Sequence, residues 1–382
     1  MKKNAFFSIL LFLLCGLYGS AQDNRSGLRI SVLTCAPGQE LYSTFGHTAI
    51  RVVDSIQHTD IVYNYGTFDF SDPDFYSKFT RGKLDYFLSI ASLPDFMYEY
   101  RSENRDVYEQ VLALSEQSKK AIQQALNETL SGAARYYKYD FLYNNCTSRV
   151  RDIIMRYGGL EADQQLVPAG TSFRDMLHEY LDKGNQAWSK FGIDLVLGSP
   201  IDKKAGIAES MFLPDYLMKG IDSSVRSKDH KVLGDKILIN RGTAQPEPFR
   251  DTPLLLFSVI AVIVGVLSLL KNKTAVQLSR VFDFVLFLST GLIGCLLLFM
   301  WLGTDHSACA ANYNLLWAMP LNVLAAFAVW KRPGWFRKYM SVYAGLLLVT
   351  ILGWFWLPQE LNTGFLPIIL LLLALCVQLR KG

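Results

Sequence analysis

The sequence predicts an exported α+β domain followed by an all-α bundle of about five transmembrane helices. Three observations carry that expectation: an export-type N-terminus, a sharp rise in apolar content near Pro253, and apolar runs joined by connections that alternate between basic and non-basic. The 51% hydrophobic content is therefore divided unevenly, and the division marks the domains.

The first residues run Lys2-Lys3, an apolar stretch from Ala5 to Tyr18, then Gly19-Ser20-Ala21. This is the order of a cleaved signal peptide over 1–21, and the apolar stretch is shorter than the ~20 residues a bilayer span needs. Leu14 stands before Cys15 where a lipoprotein signal has Gly or Ala, so no lipid anchor is read there. Residues 22–240 are expected to form an exported, periplasmic domain, and 241–252 a linker, since "RGTAQPEPFRDTP" holds three prolines and no hydrophobic period. Residues 253–382 are expected to be the membrane domain, with apolar runs near 253–270, 281–303, 315–330, 339–357 and 365–379. The basic connections "KNK", "KRPGWFRK" and "RKG" alternate with "TDHSACAANYN" and "PQELNTG", which carry no Lys or Arg. By the positive-inside rule the basic ones are cytoplasmic, and residues 22–250 lie outside the inner membrane.

The net charge of +4 is spread over both parts and gives no case for nucleic acid. Of six cysteines, Cys35, Cys146 and Cys309 fall in exported segments. An odd number in an oxidising compartment implies an unpaired thiol, with a Cys35–Cys309 disulfide left open. No CxxC pair and no metal-ligand spacing occurs, so no metal and no cofactor is expected.

Cys146 stands in "YNNCTSRVRD", ahead of Val150, Ile153, Ile154 and Tyr157 at helical spacing, with Gly158-Gly159 as a stop. Asn144 or Asn145 is a natural N-cap, and the N–H groups and dipole of a helix start favour a thiolate, with Arg149 and Arg151 adding positive potential. From these residues alone a reactive thiol and an inert one are both open. A thiol nucleophile wants a histidine base, and there are five to choose from. His58 lies in a polar turn, His178 on a packed helix, His230 in a charged segment and His306 at the membrane edge. His47, in "YSTFGHTAIRVVD", opens an alternating β-branched run and is the candidate base. Asn64, on the next strand, is a candidate to orient the imidazole. The backbone N–H of Cys146, with an Asn144 or Asn145 amide, is a candidate oxyanion donor. Arg81 and Lys83 beside an apolar segment are candidates for a lipid phosphate, or an ordinary solvated turn. Asp305, His306, Asn312, Asn314 and Asn322 cluster near the outer edge of the third apolar run, where polar groups need partners or a wet cavity. They are candidates for substrate binding, or for helix capping and interhelical bonding, with Trp317 as an interfacial anchor.

"APGQELYSTFGHTAIRV", "VYNYGTFDF", "FLYNNCTSRVRDII", "FLPDYL" and "TDHSACAANYNLLWAMPLN" together resemble the Bacteroidota membrane-bound lipoprotein N-acyltransferases, called Lnb. Their exported domain is similar to circularly permuted, NlpC-like papain-type thiol hydrolases and acyltransferases, in which the histidine strand precedes the cysteine helix. The resemblance implies Cys146 as nucleophile, His47 as base and, loosely, Asn64 as third polar residue. It implies transfer of an acyl chain from a phospholipid to the N-terminal amine of a diacylated lipoprotein, with no cofactor. A papain-type hydrolase, either cell-wall amidase or phospholipase, and a non-catalytic membrane sensor or assembly protein are the rival expectations.

Overall fold

The computed structural model describes residues 27–40, 42–159, 166–226, 230–231, 233–242, 249–270 and 272–381; the expected signal over 1–21 and residues 243–248 of the expected linker lie outside these. β1 (Leu28–Cys35) reads LRISVLTC, buried at nearly every position, which is the pattern of a strand covered on both faces. Around it lie β2 (His47–Asp54), β3 (Thr59–Thr67), β4 (Asp85–Ser92), β5 (Val107–Leu112) and β6 (Tyr136–Lys138). A short pair, β7 (Val225–Arg226) and β8 (His230–Lys231), precedes the long strand β9 (Leu233–Asn240). The main sheet is antiparallel throughout, in the order β6-β4-β3-β2-β1-β5-β9.

The helices of this domain are α1 (Phe75–Thr80), α2 (Leu93–Ser102), α3 (Glu116–Ser131), α4 (Cys146–Ile153), α5 (Phe173–Lys183), α6 (Ala187–Val196), α7 (Ile207–Ser210) and α8 (Pro214–Ser223). Several have local start signals: Ser92 caps α2, Ser115 caps α3, and Asn145 and Ser172 form capping boxes at α4 and α5. The alternation along β1 divides the core. Ile30 and Val32 join Ile50 and Val52 against Leu126 of α3, Val150 of α4 and Leu217 of α8. Leu33 and Cys35 face the other way, against Phe96, Met97 and Tyr100 of α2. Each such aliphatic side chain contributes about 2 kcal/mol on burial, so the sheet is held rigid from both sides where the candidate residues attach.

Five membrane helices follow: α9 (Thr252–Leu269), α10 (Lys273–Leu302), α11 (Asn322–Lys331), α12 (Gly334–Leu352) and α13 (Phe365–Lys381). The expected third run, 315–330, is corrected. Its first part is a 3-10 turn over Tyr313–Leu316 and irregular chain, and the α-helix begins only at Asn322. Ten residues rise about 15 Å, half of a bilayer core. Irregular backbone at that depth is tolerated because protein covers it: Asn314, Trp317 and Ala318 are fully buried. Asn322 donates to Thr290 Oγ1 (3.1 Å) and Tyr343 Oη (2.9 Å) and accepts from Tyr339 Oη, so it joins α11 to α10 and α12. Trp317 is no interfacial anchor, since its indole N–H donates to Asn314 Oδ1 (2.8 Å) inside the bundle.

The two connections that lack Lys and Arg are the ones that grip the sheet domain. Asn314 donates to the Asp194 and Leu195 carbonyls (2.8 and 3.1 Å), Asn312 to those of Leu195 and Val196 (2.8 and 3.0 Å), and Gln359 to that of Leu197 (3.1 Å). Beneath them Asp194 takes Arg174 (2.7 Å), His178 (2.8 Å) and Asn362 (2.8 Å). Burial would raise the Asp194 carboxyl, but these donors hold it below its ordinary value. Removing the cation leaves a buried carboxylate with reduced compensation. Arg174→Ala should therefore destabilise the detergent-solubilised protein by about 3 kcal/mol, read as a lower thermal midpoint; an unchanged midpoint would contradict the role assigned to the pair.

Candidate active site

Cys146 is the first residue of α4, and the turn before it is built residue by residue. Asp140 Oδ1 accepts the Leu142 and Tyr143 N–H groups (3.0 and 2.9 Å), and Asp140 and Asn144 exchange backbone hydrogen bonds. Asn145 then caps the helix by accepting from Ser148 N (2.8 Å), while Ser148 Oγ receives Asn145 N–H (2.8 Å). As the first N–H of a helix, that of Cys146 has no intrahelical acceptor and points out of the helix start.

The base of α4 is stitched to β2 through the Thr48 and Thr147 hydroxyls, 3.0 Å apart. His47, the residue before Thr48, is thereby set against Cys146, near enough for each side chain to shift the ionisation of the other. Asn64 Oδ1 accepts from His47 Nε2–H at 2.5 Å. This commits Nε2 as the protonated nitrogen, so Nδ1 is the one left for the sulfur. Asn64 reaches this position where the β3–β4 register shifts, between Asn64 and Thr67. Gly66 lies in that bulge at φ +92°, where any side chain would strain the backbone, and a Cβ there would stand in contact with Cys146 Cβ at 3.4 Å.

Burial by itself would raise the Cys146 thiol. His47, chiefly through its charge, together with the Thr48 backbone N–H and the Thr147 hydroxyl, outweighs this and brings it down to about 7. Burial would lower His47, and the facing Cys146 and Asn64 raise it instead. The arrangement thus stabilises a thiolate beside an imidazolium, the state in which a cysteine attacks carbonyl carbon. The two arginines of the cysteine helix are engaged elsewhere: Arg149 donates to Asn144 Oδ1 (2.6 Å) with its guanidinium 4.1 Å from the Tyr137 ring, and Arg151 binds Asp152 and the Ala208 carbonyl.

The remaining expected site residues are dispersed. Both amide hydrogens of Asn145 are spent on the Phe141 and Phe212 carbonyls, so Asn145 has none left for an oxyanion, and Asn144 donates one to the Lys138 carbonyl. Asn312 and Asn314 fasten the two domains. Asp305 N–H donates to the Arg81 carbonyl (2.9 Å) and His306 Nε2–H to that of Phe79 (3.1 Å), which joins these residues to one another but not to the thiol. Arg81 and Lys83 have exposed side chains. Cys35 and Cys309 are separate, buried free thiols, so the open disulfide is not formed; burial pushes Cys35 up to about 12. Sequence reasoning missed Thr48, Thr147, Asp140 and Ser307, whose hydroxyl donates to Asp140 Oδ2 at 2.6 Å. It also passed over Gly66, although a glycine two places after a strand asparagine signals a bulge.

The thiolate sets a pH test. Alkylation of Cys146 by iodoacetamide, followed on its peptide by mass spectrometry, should rise with pH through a midpoint near 7. In His47→Ala the midpoint should move up toward the ordinary thiol value of about 8.5. An unshifted midpoint in His47→Ala would remove the imidazole from the account.

Comparison with known families matches the Lnb N-terminal periplasmic domain over residues 18–179 and the Lnb transmembrane domain over residues 245–380. No curated protein and no solved structure gives a significant match. Sheet domain, helical domain and their order all agree with those two descriptions, and the chain belongs to the Lnb family, as an inner-membrane protein of lipoprotein biosynthesis whose N-terminal domain is periplasmic.

Proposed function

We propose that the protein is a thiol acyltransferase that moves an acyl chain from a phospholipid, through a thioester on Cys146, to the N-terminal amine of a diacylated lipoprotein. The observation that carries this reading is the ordered line Cys146–His47–Asn64, with the tautomer assigned by Asn64, in a domain seated on a membrane bundle. The chain order of histidine strand, asparagine strand and cysteine helix supports a circularly permuted papain-like domain.

In the first half-reaction the Cys146 thiolate adds to the ester carbonyl of the phospholipid. A C–S bond forms, and the developing oxyanion meets the Cys146 backbone N–H at the start of α4. The C–O bond then breaks, and the departing lysophospholipid oxygen takes the proton from His47 Nδ1. In the second, the lipoprotein amine adds to the thioester carbonyl and gives its proton to Nδ1; the C–N bond is kept and the thiolate leaves. Asn64 keeps Nδ1 turned to the reacting atoms in both halves. No step asks for a metal or a redox partner.

The test is mass spectrometry of a synthetic diacylated lipopeptide incubated with the full-length protein and phospholipid in mixed micelles. The product should be heavier by one acyl chain. Cys146→Ala should yield none, and His47→Ala should fall by roughly 10²- to 10⁴-fold, the usual worth of a general base. Asn64→Ala should lie between, with turnover lost more than apparent affinity. Release of free fatty acid without N-acylation would assign the protein to the phospholipases instead, and full activity in Cys146→Ala would end the thioester mechanism.

A further inference from the structure

Between β3 and β4 the chain leaves the sheet and builds a cluster of rings. Phe75 is the hub, with ring centroids 5.8 Å from Phe68, 4.8 Å from Phe70, 5.3 Å from Tyr76 and 6.0 Å from Phe79. Phe75 itself is buried, but Phe70 is 72% exposed, Tyr76 80% and Phe79 51%. Three adjoining exposed aromatics on one short excursion are not the scattered apolar residues of an ordinary surface.

Their position says what covers them. Phe79 and Arg81 are the residues whose carbonyls receive His306 and Asp305, in the connection that follows α10 directly. α10 ends in the exposed side chains of Trp301 and Leu302, and the next outer connection exposes Phe355 and Trp356. Aromatic side chains at the ends of membrane helices mark the headgroup level. The α1 cluster stands at that level, and the exposed cations Arg81 and Lys83 flank it, the pairing expected of a surface that meets lipid.

The inner end of the same cluster leads to the thiol. Phe68 stacks edge-on to Tyr86 at 5.3 Å, and Tyr86 stacks on Tyr139 at 4.5 Å. Tyr86, Tyr139 and Cys146 pack against one core. Cys146 also raises the Tyr139 hydroxyl, after burial, which dominates. Gly66, against Cys146 Cβ, is two residues before Phe68.

We infer that the aromatic excursion over residues 68–79 inserts into the outer leaflet and binds phospholipid, and that the rings of Phe79, Phe75, Phe68, Tyr86 and Tyr139 form the track along which one acyl chain reaches Cys146. The role of the track's end rests on the acyl-transfer reading; the insertion does not. The occupant is a bilayer phospholipid, because the rings are level with the helix ends and fixed to the connection that emerges there.

Two measurements on the full-length protein in phosphatidylethanolamine–phosphatidylglycerol vesicles test this. In the first, a photoreactive benzoylphenylalanine replaces Tyr76 or Phe79, or replaces Ile56, an exposed apolar residue in the β2–β3 turn. Phospholipid should be captured at positions 76 and 79 and not at 56. Capture of a second copy of the chain, or equal labelling at all three, overturns the insertion. In the second, a Phe70→Ser/Tyr76→Ser/Phe79→Ser variant is assayed on vesicle phospholipid and on p-nitrophenyl butyrate, a soluble ester that needs no bilayer. The variant should lose roughly tenfold or more on vesicles, as expected when buried ring surface is withdrawn from lipid, and several-fold less than that on the soluble ester. Equal losses on both substrates, or none on vesicles, overturn the track. If Cys146→Ala still reacted with both, the acyl-transfer reading would fall while the photocapture result stood.

Discussion

The carboxyl end of α6 sets the relation between the two halves of this protein. A helix presents its last carbonyls without intrahelical donors, and burying them bare costs several kcal/mol. Here the Asp194, Leu195, Val196 and Leu197 carbonyls are seated on the membrane bundle, away from water, and Asn312, Asn314 and Gln359 of the bundle supply the missing N–H groups. Side-chain amides fixed on two separate connections satisfy those carbonyls in one orientation only. The sheet domain therefore has a defined height and rotation over the bilayer. Below the same helix end, Arg174 and His178 close on Asp194, so the charge that would resist burial is neutralised where the domains meet.

That placement is transmitted to the thiol by a short chain of bonds. Ser307, in the connection after α10, donates to Asp140, and the other oxygen of Asp140 holds the turn that delivers Cys146 to the start of α4. Membrane connection and cysteine turn are thus parts of one hydrogen-bonded unit. The sheet does the rest, since β2 and β3 are adjacent and carry His47 and Asn64 to the same end. An amide suits position 64. A carboxylate would fix the same tautomer but would add negative charge and hold the imidazolium more tightly, which hinders return of its proton. A neutral oxygen acceptor orients the ring and leaves the proton transferable.

Residue type and local context made His47, Cys146 and Asn64 legible in the sequence. Cys146 and His47 have few competitors in the chain and sit at a recognisable helix start and strand start, whereas Asn64 is one of fourteen asparagines and lies inside β3, and only its place on the strand after His47 singled it out. The α+β character of the domain, the five apolar runs and their orientation were legible for the same reason, because periodicity and loop charge are local properties. What was not legible depends on distant partners. Asn145 reads equally well as cap or oxyanion donor until Phe141 and Phe212 are seen to take both its amide hydrogens. Asn312 and Asn314 read as a substrate cluster at a membrane edge, where buried polar groups are costly, and the structure resolves that cost through carbonyls more than a hundred residues away. The start of α11 was misplaced because an apolar segment looks helical by composition, whether its backbone is covered by lipid or by protein.

The same separation of local and distant information bears on the choice between transfer and hydrolysis. Cys146 and His47 would serve either reaction, since a thioester yields to water and to an amine by the same geometry. Discrimination has to come from what surrounds the thioester, by keeping water scarce and holding the amine close. Cys146 is only half-buried, so its own pocket does not seal it. The Tyr86–Tyr139 stack on one side and the membrane connection tied to Asp140 on the other are the elements available to do so, and both are apolar or occupied in hydrogen bonds of their own. An acyl chain lying along those rings would itself displace water from the thioester it has just formed, which makes the donor lipid part of the seal and favours an amine that arrives from the membrane side over water arriving from the periplasm.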